Sequence, residues 1–155
     1  MWLTTETFRT VVASTPLVSI DLVVQNALGE ILLGQRLNRP AQGCWFVPGG
    51  RILKNESLDA AFLRLTSGEL GQTFERSQAR LLDVYEHFYS DSVFAEEEAL
   101  GTHYVVLGYH LRLPAPMKLA PPADQHDSYR WWSMAEMQAS AEVHDNTRAY
   151  LQALR

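Results

Sequence analysis

Apolar positions recur with two periods along this chain. Residues 17–25 carry Leu17, Val18, Ile20, Leu22, Val23 and Val24 in a run that reads as a strand. Asn26-Ala27-Leu28-Gly29 supplies turn chemistry, and residues 30–36 read as the return strand of a hairpin. After a loop holding Pro40 and Gly43, residues 45–47 form a short strand that Pro48-Gly49-Gly50 stops. The helical period is clearest over 57–70, where Leu58, Ala61, Phe62 and Leu65 fall at the i, i+3, i+4, i+7 spacing of one buried face. Asn55 or Ser57 caps that helix and Gly71 ends it. A shorter helix, capped by Thr4 or Thr5, runs to about Ala13 and stops before Pro16. Strands at 81–89 and 103–113 flank residues 90–101, which are polar and carry Glu96, Glu97 and Glu98 in a row, a solvated loop or a lid. Residues 114–124 are proline-rich and irregular, 129–132 read as a last strand, and helical segments start near Met134 and Asp145. The sum is an α/β protein, a mixed sheet with helices packed on it.

Composition narrows this to one domain spanning 1–155, since 155 residues with 46% hydrophobic content support one sizeable core but not two. A net charge of −5 argues against nucleic acid or an anionic membrane as partner. Arg36, Arg39, Arg51, Lys54 and Arg64 nevertheless concentrate positive charge locally, either as solvated surface or as an anion site. Cys44 is the single cysteine, which leaves no disulfide framework and no cysteine-based zinc site. The first residues lack the basic region and apolar run of a signal peptide, and no stretch is long and apolar enough to span a bilayer. The expectation is a soluble, cytoplasmic protein.

The most informative stretch is Gly50-x5-Glu56-x7-Arg64, continued by Glu69 and Gly71. It resembles the Nudix box, G-x5-E-x7-R-E-U-x-E-E-x-G-U, with U apolar. Leu65 and Gly68 stand where the box has its first and second helix glutamates, and Thr66 and Gln72 occupy its apolar positions. Residues 65, 68 and 69 share one helix face. Three carboxylates there could hold two or more Mg²⁺ ions; Glu69 alone anchors about one. The departures match one subgroup, for nearly the whole chain is similar to the GDP-mannose mannosyl hydrolases. The stretches that carry this include Ser14-Thr15-Pro16-Leu17-Val18-Ser19, Asn38-Arg39-Pro40-Ala41-Gln42-Gly43, Trp45-Phe46-Val47-Pro48-Gly49-Gly50-Arg51, Thr102-His103-Tyr104-Val105-Val106-Leu107-Gly108 and Asp124-Gln125-His126-Asp127.

That resemblance implies a Nudix fold, a mixed sheet sandwiched between helices. It also implies hydrolysis of GDP-mannose, with GDP-glucose as a second substrate, by attack of water at the sugar C1 with inversion. It places the general base at His126 and the metal ligands at the Gly49 carbonyl, Glu69 and Gln125, holding one Mg²⁺ per subunit with Mn²⁺ as a substitute. Arg36 and Arg51 would pair with the diphosphate, where a guanidinium fork matches phosphate oxygens. Arg64 would do the same or brace the box with Glu56. Asp21, Tyr89 and Tyr104 match substrate-contacting positions; the tyrosines read equally well as amphipathic strand residues. Asp21, between apolar neighbours, needs a partner of its own. A homodimer is the family's expected assembly. Two other readings stay open: a pyrophosphohydrolase attacking phosphorus of a nucleoside diphosphate derivative, and a binding module without catalysis.

Overall fold

The first helix, α1 (Thr5–Ser14), begins where Thr4 can cap it, the threonine hydroxyl accepting from the Thr7 amide at 3.2 Å. The computed structural model describes residues 2–37, 41–90, 101–114, 119, 121 and 126–154, with His126 and Asp127 as backbone only. Strand β1 (Leu17–Gln25) and strand β2 (Ile31–Arg36) follow. Between them the Asn26 side chain accepts from the amides of Leu28 and Glu30, and Gly29 takes the left-handed φ of 81° that the turn requires. Next come β3 (Trp45–Phe46), β4 (Gly49–Arg51) and α2 (Leu58–Leu70). Ser57, not Asn55, caps α2 by accepting from the Ala60 amide at 3.1 Å, and Gly71 ends it at φ 72°. The remaining elements are β5 (Arg80–Tyr89), β6 (Thr102–Arg112), β7 (His126–Trp132), α3 (Met134–Ala139), α4 (Asp145–Arg148) and a 3₁₀ segment (Ala149–Leu154).

The sheet runs β3-β2-β1-β6-β5, with β4 added to β1 and β7 to β2. The β1–β6 pair is parallel and the other pairs antiparallel, so the sheet is mixed as the sequence predicts. Alternation along β1 divides the core between two faces. Ile20, Leu22 and Val24 pack with Phe62, Leu65 and Leu70 of α2, together with Tyr109 and Leu111. Val23 faces the other way, onto Met137 of α3 and onto Val143, Tyr150 and Leu151 near the C-terminus. This is an α/β/α sandwich, as the resemblance implies, with the polar residue of β1, Asp21, on the second face.

Three details differ from the sequence reading. Gly49–Arg51 does not merely stop β3 but forms a strand of its own, paired with Ser19, Ile20 and Asp21. A three-residue Gly-Gly-Arg segment has no apolar period to betray it. Strand β7 starts at His126 rather than near Tyr129, because its pairing continues past Gly34 through a register shift to Arg36. Leu58, placed on the buried face of α2, is exposed in its first turn, and Leu70 fills the core instead.

Candidate active site

Asp21 sits in β1 opposite Gly49 of β4 on one side and Gly108 of β6 on the other. A Cβ at Gly49 would lie 2.4 Å from the Ile20 carbonyl oxygen and 2.7 Å from Asp21 Oδ1. Only glycine lets the two backbones approach this closely. Asp21 keeps some solvent exposure, yet the protein around it pushes its carboxyl pKa up to about 7. Burial outweighs two opposing influences, a hydrogen bond from Tyr150 and the positive charge of Arg36. The Tyr150 hydroxyl donates to Asp21 Oδ2 at 2.6 Å.

Aromatic rings gather beside this carboxylate. Tyr89 and Tyr104 lie 6.0 Å apart between centroids, and Phe46 is 6.3 Å from Tyr89. His144 stacks on Phe46 at 4.8 Å, and the Arg36 guanidinium lies 5.9 Å from the same ring. Burial raises the Tyr104 phenol and drives that of Tyr89 up to about 12; Asp21 adds to both shifts and Arg36 opposes them. The structure therefore brings Asp21, Arg36, Tyr89 and Tyr104 within electrostatic reach of one another. Tyr104 also packs against Val12 and Leu17.

The Gly50–Gly71 segment folds around its own glutamates. Glu56 accepts from the Leu53 amide at 3.0 Å and takes two bonds from Arg64, Nε at 2.7 Å and a terminal nitrogen at 3.0 Å. That bidentate bond is the first cause holding the Glu56 carboxyl below its usual range. Arg64 also donates to the Arg51 carbonyl at 2.8 Å. These bonds brace the box. Leu65 is buried against Gly50, whose Cβ would stand 2.5 Å from Leu65 Cδ2. Glu69 is buried at 8% exposure, with Oε1 4.0 Å from that same Cβ position. Gly68 has nothing within 4 Å of a built Cβ. Thr66 is tolerated in an apolar box position because its hydroxyl accepts from the Phe74 amide at 3.0 Å and donates back to the Phe62 carbonyl at 2.9 Å. Arg51 lies 4.6 Å from the Phe8 ring and 5.8 Å from Trp2, and burial lowers its pKa.

A family model described as the NUDIX domain matches residues 15–154. The chain belongs to the Nudix family. It is similar to the low-salt glycan biosynthesis protein Agl8 of Haloferax volcanii, 40% identical over 107 residues, which is 68% of this chain and 65% of that protein. The chain thus spans just under two thirds of that relative's length. Among solved structures it is similar to a MutT NUDIX hydrolase from Burkholderia pseudomallei, with a TM-score of 0.72 and 26% identity over 92% of this chain and 100% of that one. The NUDIX domain of Shewanella oneidensis NrtR, complexed with ADP ribose, matches at TM-score 0.70 and 18% identity over 99% and 97% of the two chains, a likeness of fold alone. Nudix enzymes typically use a divalent cation such as Mg²⁺ or Mn²⁺. No helix among the described residues is long and apolar enough to cross a membrane.

The residues present suit such a cation. Glu69 is a buried carboxylate beside the Gly49-Gly50 backbone, so the donors there are hard oxygens. No cluster of three His, Cys, Asp or Glu occurs among the described residues. That donor set fits Mg²⁺, which commonly keeps waters and substrate oxygens in its shell. Gln125 lies outside the described residues, and so does the side chain of His126. The His126 backbone pairs with Arg36, which brings the strand carrying the expected base alongside a cluster residue.

Sequence reasoning missed His144, Asn146 and Tyr150 as members of this Nudix site. His144 takes the α4 cap position, its Nδ1 accepting from the Asn146 amide at 3.1 Å, and Asn146 hydrogen-bonds to Tyr89. No spacing signal links these residues to a box some 80 positions upstream. His87 is buried behind them, with Nε2 lacking a hydrogen-bond partner. Burial, and secondarily His144, pulls its pKa from 6.5 to about 4. The unfolded chain therefore binds a proton between those values that the folded protein refuses, and stability is lost as pH falls through that window. Asp21 titrates with the opposite sign and cancels in a comparison of variants. Between pH 7 and pH 4, His87→Phe gains about 3 kcal/mol over wild type in urea unfolding. A difference that stays flat with pH rejects this account of His87.

Proposed function

We propose that this protein hydrolyses GDP-sugars, GDP-mannose foremost, to GDP and the free sugar by attack of water at the sugar C1 with inversion. One observation carries the reading. The helix positions where attack at phosphorus calls for carboxylates hold Leu65, wedged on Gly50, and Gly68, facing open space, which leaves Glu69 as the single glutamate of that face. The name of the Haloferax volcanii relative, which places it in glycan biosynthesis, is in keeping with a nucleotide-sugar substrate.

In this reaction a water oxygen forms a bond to C1 while the bond from C1 to the diphosphate oxygen breaks, its electron pair leaving with GDP. His126 takes the water's proton, a general-base role that imidazoles commonly fill. Gly49, Glu69 and Gln125 would hold Mg²⁺, which when bound supplies positive charge against the departing diphosphate. Arg36 and Arg51 pair with the diphosphate and stabilise charge as it develops. Arg64 keeps the Arg51 backbone in place through its bond to that carbonyl. Asp21, Tyr89 and Tyr104 contact the sugar and base.

Incubation with GDP-mannose and Mg²⁺ in ¹⁸O-water tests this directly. Label is expected in mannose, first as the β anomer; label in a phosphate assigns attack to phosphorus, and no turnover of any GDP-sugar removes the reading. His126→Gln is expected to lower kcat by roughly 10²- to 10⁴-fold. A variant with full rate would remove His126 as base even if the label lies in the sugar.

A further inference from the structure

We propose that Tyr150 is the positioning residue for Asp21, and that Gly108 is the notch in the sheet that seats Tyr150. Asp21 and Gly108 are register partners on the neighbouring parallel strands β1 and β6, so they lie side by side on one face. A Cβ at Gly108 would stand 2.8 Å from Tyr150 Cε1 and 3.0 Å from Tyr85 Cε2. The missing side chain is what lets the Tyr150 ring lie against the strand. Tyr85 packs edge-on against that ring at 4.7 Å, and His87 lies 6.4 Å away. With 1% exposure the ring has one seat, and from it the hydroxyl reaches Asp21 Oδ2 at 2.6 Å.

The other carboxylate oxygen, Oδ1, is turned toward Gly49. The carboxylate is thus tied on one side by a phenol and confined on the other by backbone. Arg36 from β2, Tyr89 from β5 and Tyr104 from β6 act on Asp21 electrostatically. Tyr150 adds a directed bond from a segment 129 residues away in sequence. Docking of the 3₁₀ segment Ala149–Leu154 therefore sets the orientation of a residue that our functional reading places on substrate, and the inference rests on that reading for its effect on turnover.

Tyr150→Phe keeps the ring and removes the hydroxyl. With GDP-mannose, KM is expected to rise about tenfold while kcat stays within about threefold. Gly108→Ala should raise KM similarly, and Tyr150→Phe should add little to it. A loss of stability with KM unchanged would reduce Tyr150 to packing and overturn the proposal. A second arm needs no substrate. Tyr150→Phe should shift the unfolding equilibrium about tenfold in wild type and no more than about twofold in an Asp21→Ala background. Equal shifts in both backgrounds overturn the proposal. A coupled cycle in a protein that turns over no GDP-sugar would instead fault the assigned substrate and leave the positioning intact.

Discussion

Replacing Glu69 by Gln is expected to lower kcat by on the order of 10³-fold, about 4 kcal/mol of lost transition-state stabilisation, and to raise the Mg²⁺ concentration needed for half-maximal rate more than tenfold. Glu69 is the box carboxylate that remains on its helix face, since positions 65 and 68 hold Leu and Gly. A site with three carboxylates loses one charge in three on such a change; this site loses the single charge its box helix supplies. The amide keeps the side chain's shape, so the packing of α2 against β1 through Phe62 and Leu65 should persist. Circular dichroism and thermal unfolding with chelator present are expected to match wild type, which separates metal loss from misfolding. Calorimetric titration with Mg²⁺ reads the affinity. An unchanged Mg²⁺ requirement would show that Glu69 is not a ligand.

Asp21→Asn should make the protein more stable and less active at once. The Asp21 carboxyl titrates near 7 in the folded protein against 3.8 ordinarily, chiefly through burial. An acid raised in this way contributes stability below its unfolded pKa, and that stability is lost as pH rises through the folded value. Asparagine has no charge to hold in that environment. The variant's advantage should therefore be small at pH 4, grow across the window and level off above pH 7 at about 3–4 kcal/mol. Urea unfolding in chelator at pH 4, 6 and 8 gives the curve. A stability difference independent of pH would contradict the assignment. Activity should move the other way, with KM for the nucleotide sugar rising about tenfold or more as the charged partner disappears. Such opposition is expected where a residue is kept for function at some expense to the fold.

Local signals in the sequence were enough to expose the scaffold. The i, i+3, i+4, i+7 pattern through Ala61, Phe62 and Leu65 locates α2, and all three residues are buried. The apolar run of 17–25 gives β1 with matching ends, and the Asn26–Gly29 turn gives the return strand, which starts one residue later than read, at Ile31. The spacing of Gly50, Glu56, Arg64 and Glu69 identifies the box because each residue answers to a geometric demand within a single loop and helix. What stayed hidden depends on long-range packing. Strand β4 exists because Gly49 can press against Ile20 and Asp21, a property of two distant backbones. Tyr150, His144 and Asn146 reach the site from the C-terminal end, and nothing near them in sequence marks that destination. The bonds from Arg64 to Glu56 and to the Arg51 carbonyl likewise depend on how the loop folds back onto α2.

Leu65 and Gly68, at the two box positions without a glutamate, also differ in how readily they would accept one. Leu65 is locked by the core and by Gly50, so a carboxylate there would be a buried charge in an apolar cluster. Gly68 stands exposed at the helix surface with free space around it, and as a helical glycine it costs about 1 kcal/mol relative to alanine. A glutamate could return at 68 with no rearrangement and a firmer helix, whereas position 65 would have to be rebuilt together with its neighbours. A second carboxylate on this helix is therefore a single substitution away at 68, while at 65 it is closed off by packing.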